Sequence, residues 1–345
     1  MNNPTKPYIG GQAVIEGVMM RAPSCLAIAV RRPDQSIALR EGPFRSALTG
    51  RRAFKLPGLR GVATLVESLK MGFGALRFSA EQQMSEEERA QEAEATGKGA
   101  VLISSLLAIG LFIALPQLLA SGSGKLLGFE LGLSDASFHL LIGGFKLLVF
   151  LTYVLVIRRI PEVARVFQYH GAEHKTIHAY EQRLPLTVEN VRAQTTLHPR
   201  CGTTFLVMVV IVSILFGSLA APLFLPNAEG LLGHLSIFVL RLALLPFIAA
   251  LSFEIQRIGA RFCTRGPLRV FLWPGFLFQM ITTKEPDDSQ IEIAIAAMKA
   301  AEWRESVGAT IPADDEPLVF GSFDGFVEAL PALREALAPP ATRLG

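Results

Sequence analysis

The sequence has few cysteines, no strong charge imbalance and no recognisable leader. Its three cysteines, Cys25, Cys201 and Cys263, are odd in number and widely spaced, so they predict no disulfide framework and fit a reducing compartment. The formal net charge of +3 over 345 residues gives no global basic signal, and we therefore expect no nucleic-acid partner. The N-terminal residues lack the apolar core of a signal peptide.

Apolar residues are abundant and clustered. They make up 50% of the chain, the mean hydropathy is +0.39, and each of four runs approaches the ~20 residues that a membrane-spanning helix needs. Pro116 and Pro246 should kink two of these helices, and Arg241 must face the bundle interior or snorkel. The runs cover approximately residues 100–120, 137–157, 203–225 and 231–253.

Lysine and arginine are unevenly distributed between the connecting segments. The 121–136 loop has only Lys125 and the 226–230 turn has no cation. By the positive-inside rule, a multi-pass protein of the cell inner (plasma) membrane is expected, with both termini and the 158–202 loop cytoplasmic. The cation-rich segments contain Arg45, Arg51, Arg52, Lys55 and Arg60, then Arg158, Arg159, Arg165, Lys175, Arg183, Arg192 and Arg200, and finally Arg257, Arg261, Arg265 and Arg269.

The predicted fold class is a mainly α membrane protein, a four-span helical bundle with cytoplasmic α+β elements. These elements comprise a small N-terminal β-sheet and interfacial helices. The predicted divisions are a cytoplasmic N-terminal β-rich unit at 1–57, an interfacial helix and acidic linker at 58–98, a transmembrane core at 99–302 containing the motif loop 158–202, and an acidic Pro/Ala-rich C-terminal tail at 303–345.

Local patterns refine this outline. Leu26–Val30 and Ser36–Leu39 flank a Pro-Asp turn, which predicts a β-hairpin. Residues 267–281 are too short for a fifth span and favour an interfacial or re-entrant segment. A helix is expected over Ile291–Arg304 and a docking helix near Phe323–Leu337.

The densest group of titratable residues lies at 169–181. His170, His174, His178 and Glu181 would share a stripe of roughly 80° on a helix. The sequence His170-x-x-Glu173-His174 matches an inverted zinc-peptidase pattern, in which two histidines hold the metal and the glutamate acts as general base.

A third ligand must come from elsewhere in the chain. Glu254, His198 and Cys201 are candidates because the predicted topology places all three at the same membrane face. The expected cofactor is therefore a divalent metal, with zinc fitting best.

Several alternatives stay open. The histidines could lie on a polar cytoplasmic helix and hydrogen-bond phosphates, carbonyls or carboxylates. Cys201 could be a buried apolar cap of the third span or part of a Cys–His nucleophile pair. Glu254 and Arg257 could form a local ion pair.

The chain resembles the YqhQ-like family of bacterial multi-pass membrane proteins of unknown function. The resemblance implies a predicted metal-dependent enzyme and covers residues from about 8 to 300. The motifs that carry it are Gly10–Arg21, Tyr169–Ile177 with Tyr180 and Glu181, His198–Phe205, Phe253 and Glu254 with Arg257, and Pro274 and Gly275 with Gln279, Thr282, Thr283, Glu285 and Pro286.

The predicted function is a metal-dependent enzyme, hydrolase-like, acting at the cytoplasmic membrane face on a small anionic or lipid substrate. His170 and His174 would bind the metal, Glu254 or His198 would complete the shell, and Glu173 would be the base. The alternative is a non-enzymatic transporter, lipid carrier or membrane assembly factor. The residues expected to bind substrate are Arg200, Cys201, Arg257 and Gln279.

Overall fold

Four long apolar helices form a bundle, as predicted. The computed structural model describes residues 6–44, 46, 56, 58–85, 87–89, 98–128, 132–263, 266–307 and 316–336. Four helical stretches in it are long and apolar enough to cross a membrane: Leu102–Gly124, Ala136–Ile157, Gly202–Phe224 and Gly230–Gly259. Together with a small N-terminal antiparallel sheet, they confirm the predicted fold class.

The helices follow one another in a simple order. They are α1 (Leu59–Gln83), α2 (Lys98–Ile109), α3 (Leu115–Leu127), α4 (Ala136–Ile157), α5 (Pro161–Glu181), α6 (Val188–Arg192), α7 (Gly202–Phe224), α8 (Gly230–Phe262), α9 (Trp273–Thr282), α10 (Asp288–Val307) and α11 (Phe323–Ala336). A 3-10 turn, Pro267–Leu272, precedes α9. Large apolar side chains such as Leu148, Leu219 and Phe247 point outward, as they would toward lipid.

The first span is not a regular α-helix. A π-helical turn, Gly110–Ala114, joins α2 to α3 directly before Pro116. Proline donates no backbone hydrogen bond and crowds the preceding turn, so a local change of helical pitch is a common accommodation. The irregularity predicted at Pro116 is therefore present, in the form of this π-helical turn.

The sheet is a five-stranded antiparallel meander in the order β1-β2-β3-β4-β5. Its strands are β1 (Gly10–Val14), β2 (Gly17–Arg21), β3 (Cys25–Arg31), β4 (Ile37–Pro43) and β5 (Leu318–Phe320). The predicted hairpin is present as β3 and β4. Asp34 Oδ1 accepts from the Ser36 amide and hydroxyl at 3.0 and 2.6 Å, which stabilises the turn.

Helix α10 forms the centre of the unit built around the sheet. It packs against β2, β3, β4, α5, α6 and α11, and residues from Ile291 to Trp303 are buried around most of its circumference. A helix that is apolar on all sides is normally enclosed by other elements. The unit lies at the end of the bundle where α4 ends and α7 begins, and this brings α5 against β1.

Part of the segment predicted as a tail is folded. Strand β5 pairs with β4, with Ile37 opposite Phe320, and α11 packs on α10. The docking helix was expected, whereas the three-residue strand was not. Residues 308–315 and 337–345 of that segment lie outside the described residues.

Helix α1 covers most of the segment predicted as interfacial. It packs against α8, β1 and β3, while Leu69 and Phe73 on its outer face are exposed. Its position at a membrane interface stays a prediction. Within the predicted acidic linker, residues 90–97 lie outside the described residues, as do the cations at 45, 51, 52, 55 and 265.

Candidate metal centre

Helix α5 places the histidine motif inside the protein. It begins at Pro161, where the missing N–H needs no partner, and it packs between β1 and α10. From Tyr169 to Tyr180 nearly every side chain is buried. Most of the motif is therefore shielded from bulk water.

Two glycines allow backbone to pass very close to the motif. A Cβ on Gly171 would lie 2.1 Å from the carbonyl oxygen of Lys284, and a Cβ on Gly11 would lie 2.6 Å from Cγ of Glu173. Neither distance is sterically possible. The close approach to Glu173 thus explains Gly11, the second residue of β1.

His170, His174 and Cys201 converge. Their ligand atoms all lie within 4.8 Å of one another, and they are the one group of three or more potential metal ligands found among the residues described. His170 Nε2 is 3.1 Å from Cys201 Sγ, and the two imidazole centroids are 4.4 Å apart. The cysteine comes from the start of α7, so the group joins two distant parts of the chain.

Backbone carbonyls fix the orientation of both imidazoles. His170 Nδ1 lies 2.9 Å from the carbonyl of Thr282, and His174 Nδ1 hydrogen-bonds to the carbonyl of Thr196. A carbonyl only accepts, so each Nδ1 carries the proton and each Nε2 presents a lone pair. Metal-binding histidines are typically held in this way.

Glu173 is buried beside the group. It is 4% exposed, and its Oε2 lies 3.5 Å from His174 Nε2, an atom with no hydrogen-bond partner. Burial raises the pKa of the Glu173 carboxyl, while His170, His198 and the Gly11 amide oppose the rise. Burial also lowers the pKa of His174, which favours the neutral imidazole that a metal requires.

His198 lies next to the group and not in it. Its ring centroid is 5.7 Å from that of His174 and 4.8 Å from that of His178. Its Nε2 is buried without a hydrogen-bond partner, 3.7 Å from Glu181 Oε2. Burial lowers its pKa, and the nearby Glu173 opposes the change. The prediction of His198 as a direct ligand stays a prediction.

Comparison with known proteins places the chain among relatives of unknown function. Residues 56–303 match a family model described as "Protein of unknown function (DUF1385)". The chain belongs to this family. It is 35% identical over 303 residues to the "Uncharacterized protein YqhQ" of Bacillus subtilis (strain 168), covering 84% of this chain and 90% of that protein. No solved structure matches.

The DUF1385 match includes α5, α7 and the entire histidine–cysteine group. Its description assigns no activity. The match extends from α1 to most of α10 and thus covers the four apolar helices as well.

Arg200 is already paired. Its guanidinium binds the Glu181 carboxylate, and its Cζ lies 4.8 Å from the centre of the Tyr8 ring. These contacts to α5 and to the N-terminal segment fix the side chain of Arg200, the residue directly before Cys201. An incoming anion would have to compete with Glu181 for it.

Glu254 faces a different partner. Its carboxylate forms a two-point ion pair with Arg60 of α1, with Arg60 Nε at 2.7 Å, and it also accepts from the Gly58 amide. Among the described residues it does not join the His170–His174–Cys201 group. Arg257 is exposed nearby. The local Glu254–Arg257 pair expected as an alternative is replaced by the pair with Arg60.

Gln279 is fully buried and holds the His198 segment. Its Oε1 accepts from the His198 amide at 2.8 Å, and its Nε2 donates to the His198 carbonyl and to Thr204 Oγ1 at 2.9 and 3.0 Å. The side chain thereby holds the His198 backbone before Cys201 and the Thr204 hydroxyl after it. Because both polar atoms of the side chain are used in these bonds, Gln279 has little hydrogen-bonding capacity left for a substrate.

Some site components could not be found by motif. The carbonyls of Thr196 and Thr282 carry no side-chain signal. Buried Lys175, which binds Glu285 and the Arg192 carbonyl, holds the 282–285 segment against α5. The sequence signal for this contact was a lysine within an otherwise buried helical segment, because a buried lysine needs a polar or acidic partner.

Proposed function

We propose that this protein is a metal-dependent membrane enzyme of the hydrolase type. The observation that carries the proposal is the convergence of His170, His174 and Cys201 within 4.8 Å, with both imidazoles oriented by carbonyls. The buried carboxylate of Glu173 beside them adds the residue type that hydrolysis requires.

The donor set fits a divalent zinc ion best. Two imidazole nitrogens and one thiolate are ligands that zinc accepts in tetrahedral sites, and three protein ligands leave the fourth position open. When bound, such an ion supplies Lewis acidity toward a carbonyl or phosphoryl oxygen and toward water.

Glu173 is suited to receive a proton. Its carboxyl is enclosed, and its raised pKa moves it toward the range where a general base works near neutral pH. Its Oε2 comes within 3.5 Å of His174 Nε2, and the Gly11 amide hydrogen-bonds the carboxylate. In the proposed reaction it removes the proton of the attacking water and later delivers it to the leaving group.

An anionic substrate is supported by the charges around the group. Arg200 lies next to Cys201, and Arg257 is exposed on α8. Guanidinium groups bind carboxylates and phosphates with two parallel hydrogen bonds. A small anionic molecule or a lipid head group is therefore the proposed substrate class.

The proposed location is the cytoplasmic face of the inner membrane. The four apolar helices suggest a membrane protein, and the sheet, α5 and α10 all gather at one end of the bundle. The described cations Arg158, Arg165 and Arg192 belong to that same end, as the positive-inside rule predicts for the cytoplasmic side.

Elemental analysis of purified protein tests the metal. We expect about one zinc per chain in the wild type, little in His174→Ala or Cys201→Ser, and full content in His234→Ala, a control whose imidazole lies beside Gln117 in the bundle. Absence of metal from wild-type protein purified with zinc present would contradict the proposal.

The burial of the group also favours a second candidate, a structural metal site in a non-enzymatic protein. His174 is 1% exposed and Cys201 is 6% exposed, and Glu173 could serve as a fourth ligand. Glu173→Gln separates the two. An enzyme should keep its zinc and lose hydrolysis of small ester and phosphoester substrates, whereas a structural site should lose zinc and stability.

A further inference from the structure

The centre of the helix bundle contains two cationic side chains. Lys146 is near the middle of the Ala136–Ile157 span, and Arg241 lies well inside the Gly230–Gly259 span. Arg241 is 9% exposed, and Lys146 is partly buried. Charged residues at such a depth are costly and normally have a function.

Within the described spans, no carboxylate lies near enough to neutralise them. Glu254 is the single acidic residue of the four described spans, and it is bound to Arg60. At 1.5 Å per residue it lies about 20 Å along α8 from Arg241.

The hydrogen-bond partners of the two cations are neutral. Lys146 Nζ donates to Ser213 Oγ at 3.0 Å. Arg241 Nη2 lies 3.0 Å from His139 Nδ1, which must accept because the guanidinium only donates. Arg241 Nε is buried and has no hydrogen-bond partner. Neutral hydrogen-bond partners therefore stabilise the two positive charges in part, but they do not neutralise them.

Both cations line one small cavity. Lys146, Ser213 and Arg241 surround a space of about 20 Å³, and Ile113 of the π-helical turn contributes to its wall. That volume accommodates about one water-sized particle, so the smallest anions, the monatomic halides, suit it best. Single-turn π-bulges are frequent at functional sites.

We infer that this cavity is a binding site for a halide-sized monovalent anion. Lys146 and Arg241 supply the attraction, and Ser213 lies beside the site. An anion there would offset the cost of two unbalanced charges in a low-dielectric bundle, where Coulomb interactions are strong. The inference uses none of the residues of the metal centre and does not depend on it.

The test is thermal unfolding of the purified protein in detergent. Sodium chloride or sodium bromide replaces sodium gluconate at constant ionic strength. We expect wild-type Tm to rise saturably with halide by about 2–4 °C. Lys146→Met and Arg241→Met should lose this response, and Lys70→Met, which removes an exposed cation of α1, should keep it.

Line broadening of chloride in ³⁵Cl NMR provides a second measurement that does not depend on unfolding. The broadening should be saturable in the wild type and reduced severalfold in Lys146→Met. If Arg241→Met does not fold, the result for Lys146→Met alone tests the site. Equal Tm values in chloride and gluconate without chloride broadening would overturn the inference. A full halide response in Lys146→Met would overturn it as well. Zinc content should be unchanged in both variants.

Discussion

Gly171 is required because another backbone segment occupies the space of a side chain. The carbonyl of Lys284 would lie 2.1 Å from its Cβ, and the same segment supplies the carbonyl of Thr282 that orients His170. The absence of a side chain at residue 171 is therefore coupled to the orientation of a metal ligand.

Gly171→Ala should lower both stability and zinc binding. Relief of the clash requires a backbone shift, and such overpacking costs about 1–3 kcal/mol or more. Thermal unfolding and zinc titration measure the two effects. Gly74→Ala is the matched control, since a Cβ there meets nothing within 4 Å and alanine favours a helix by up to about 1 kcal/mol. Equal behaviour of the two variants would contradict this explanation.

The sequence could predict His170, Glu173 and His174 as a group because a helix places them by spacing alone. It could not decide between Cys201, His198 and Glu254, since that choice depends on how α7 and α8 pack against α5. In the structure Cys201 is in the group, His198 is beside it, and Glu254 is bound to Arg60.

At the scale of elements, Gln279 of α9 controls the loop before α7. It hydrogen-bonds both backbone groups of His198 and the hydroxyl of Thr204. Cys201 lies between those two residues. Its position therefore depends on a side chain that does not belong to the metal centre.

Gln279→Leu should destabilise the loop and weaken zinc binding without removing a ligand. Leucine fills the space but leaves the buried His198 amide and carbonyl unpaired, which costs about 1–3 kcal/mol for each group. Zinc affinity and free energy of unfolding should both fall. Gln182→Ala, which breaks an exposed pair with Gln194, should change neither. Unaltered zinc affinity in Gln279→Leu would show that the loop holds Cys201 by other means.

Elements with strong periodicity were predictable, whereas elements that depend on neighbours were not. The apolar runs and the β3–β4 hairpin follow from composition and turn residues. Strand β5 has only three residues, Leu318–Phe320, and forms because the edge of β4 is available. Pro116 predicted an irregular first span, but not that the irregularity would be a π-helical turn at Gly110–Ala114.

At the scale of the whole molecule, the packing agrees with an even number of membrane crossings. The N-terminal sheet, α5 and α10 are joined in one unit, although the apolar helices separate them in sequence. Two apolar helices lie between the N-terminal sheet and α5, and two more lie between α5 and α10, so each pair returns the chain to the same end of the bundle. This arrangement leaves the 132–135 and 225–229 connections at the other end.

Reporter fusions in a bacterial host test this topology. Alkaline phosphatase, which is active outside the cytoplasm, should be active when fused after residue 227. It should be inactive when fused after residue 182 or at the C-terminus. A cytoplasmically active reporter such as green fluorescent protein should show the reverse pattern. Phosphatase activity at the C-terminus would contradict the proposed orientation.

Zinc K-edge X-ray absorption of the purified protein tests the metal centre most directly. We predict about two nitrogen ligands at 2.0–2.1 Å and one sulfur at about 2.3 Å, with the sulfur shell lost in Cys201→Ser and kept in Cys263→Ser. A wild-type spectrum without sulfur, or a protein that holds no zinc after zinc loading, would contradict the proposed site.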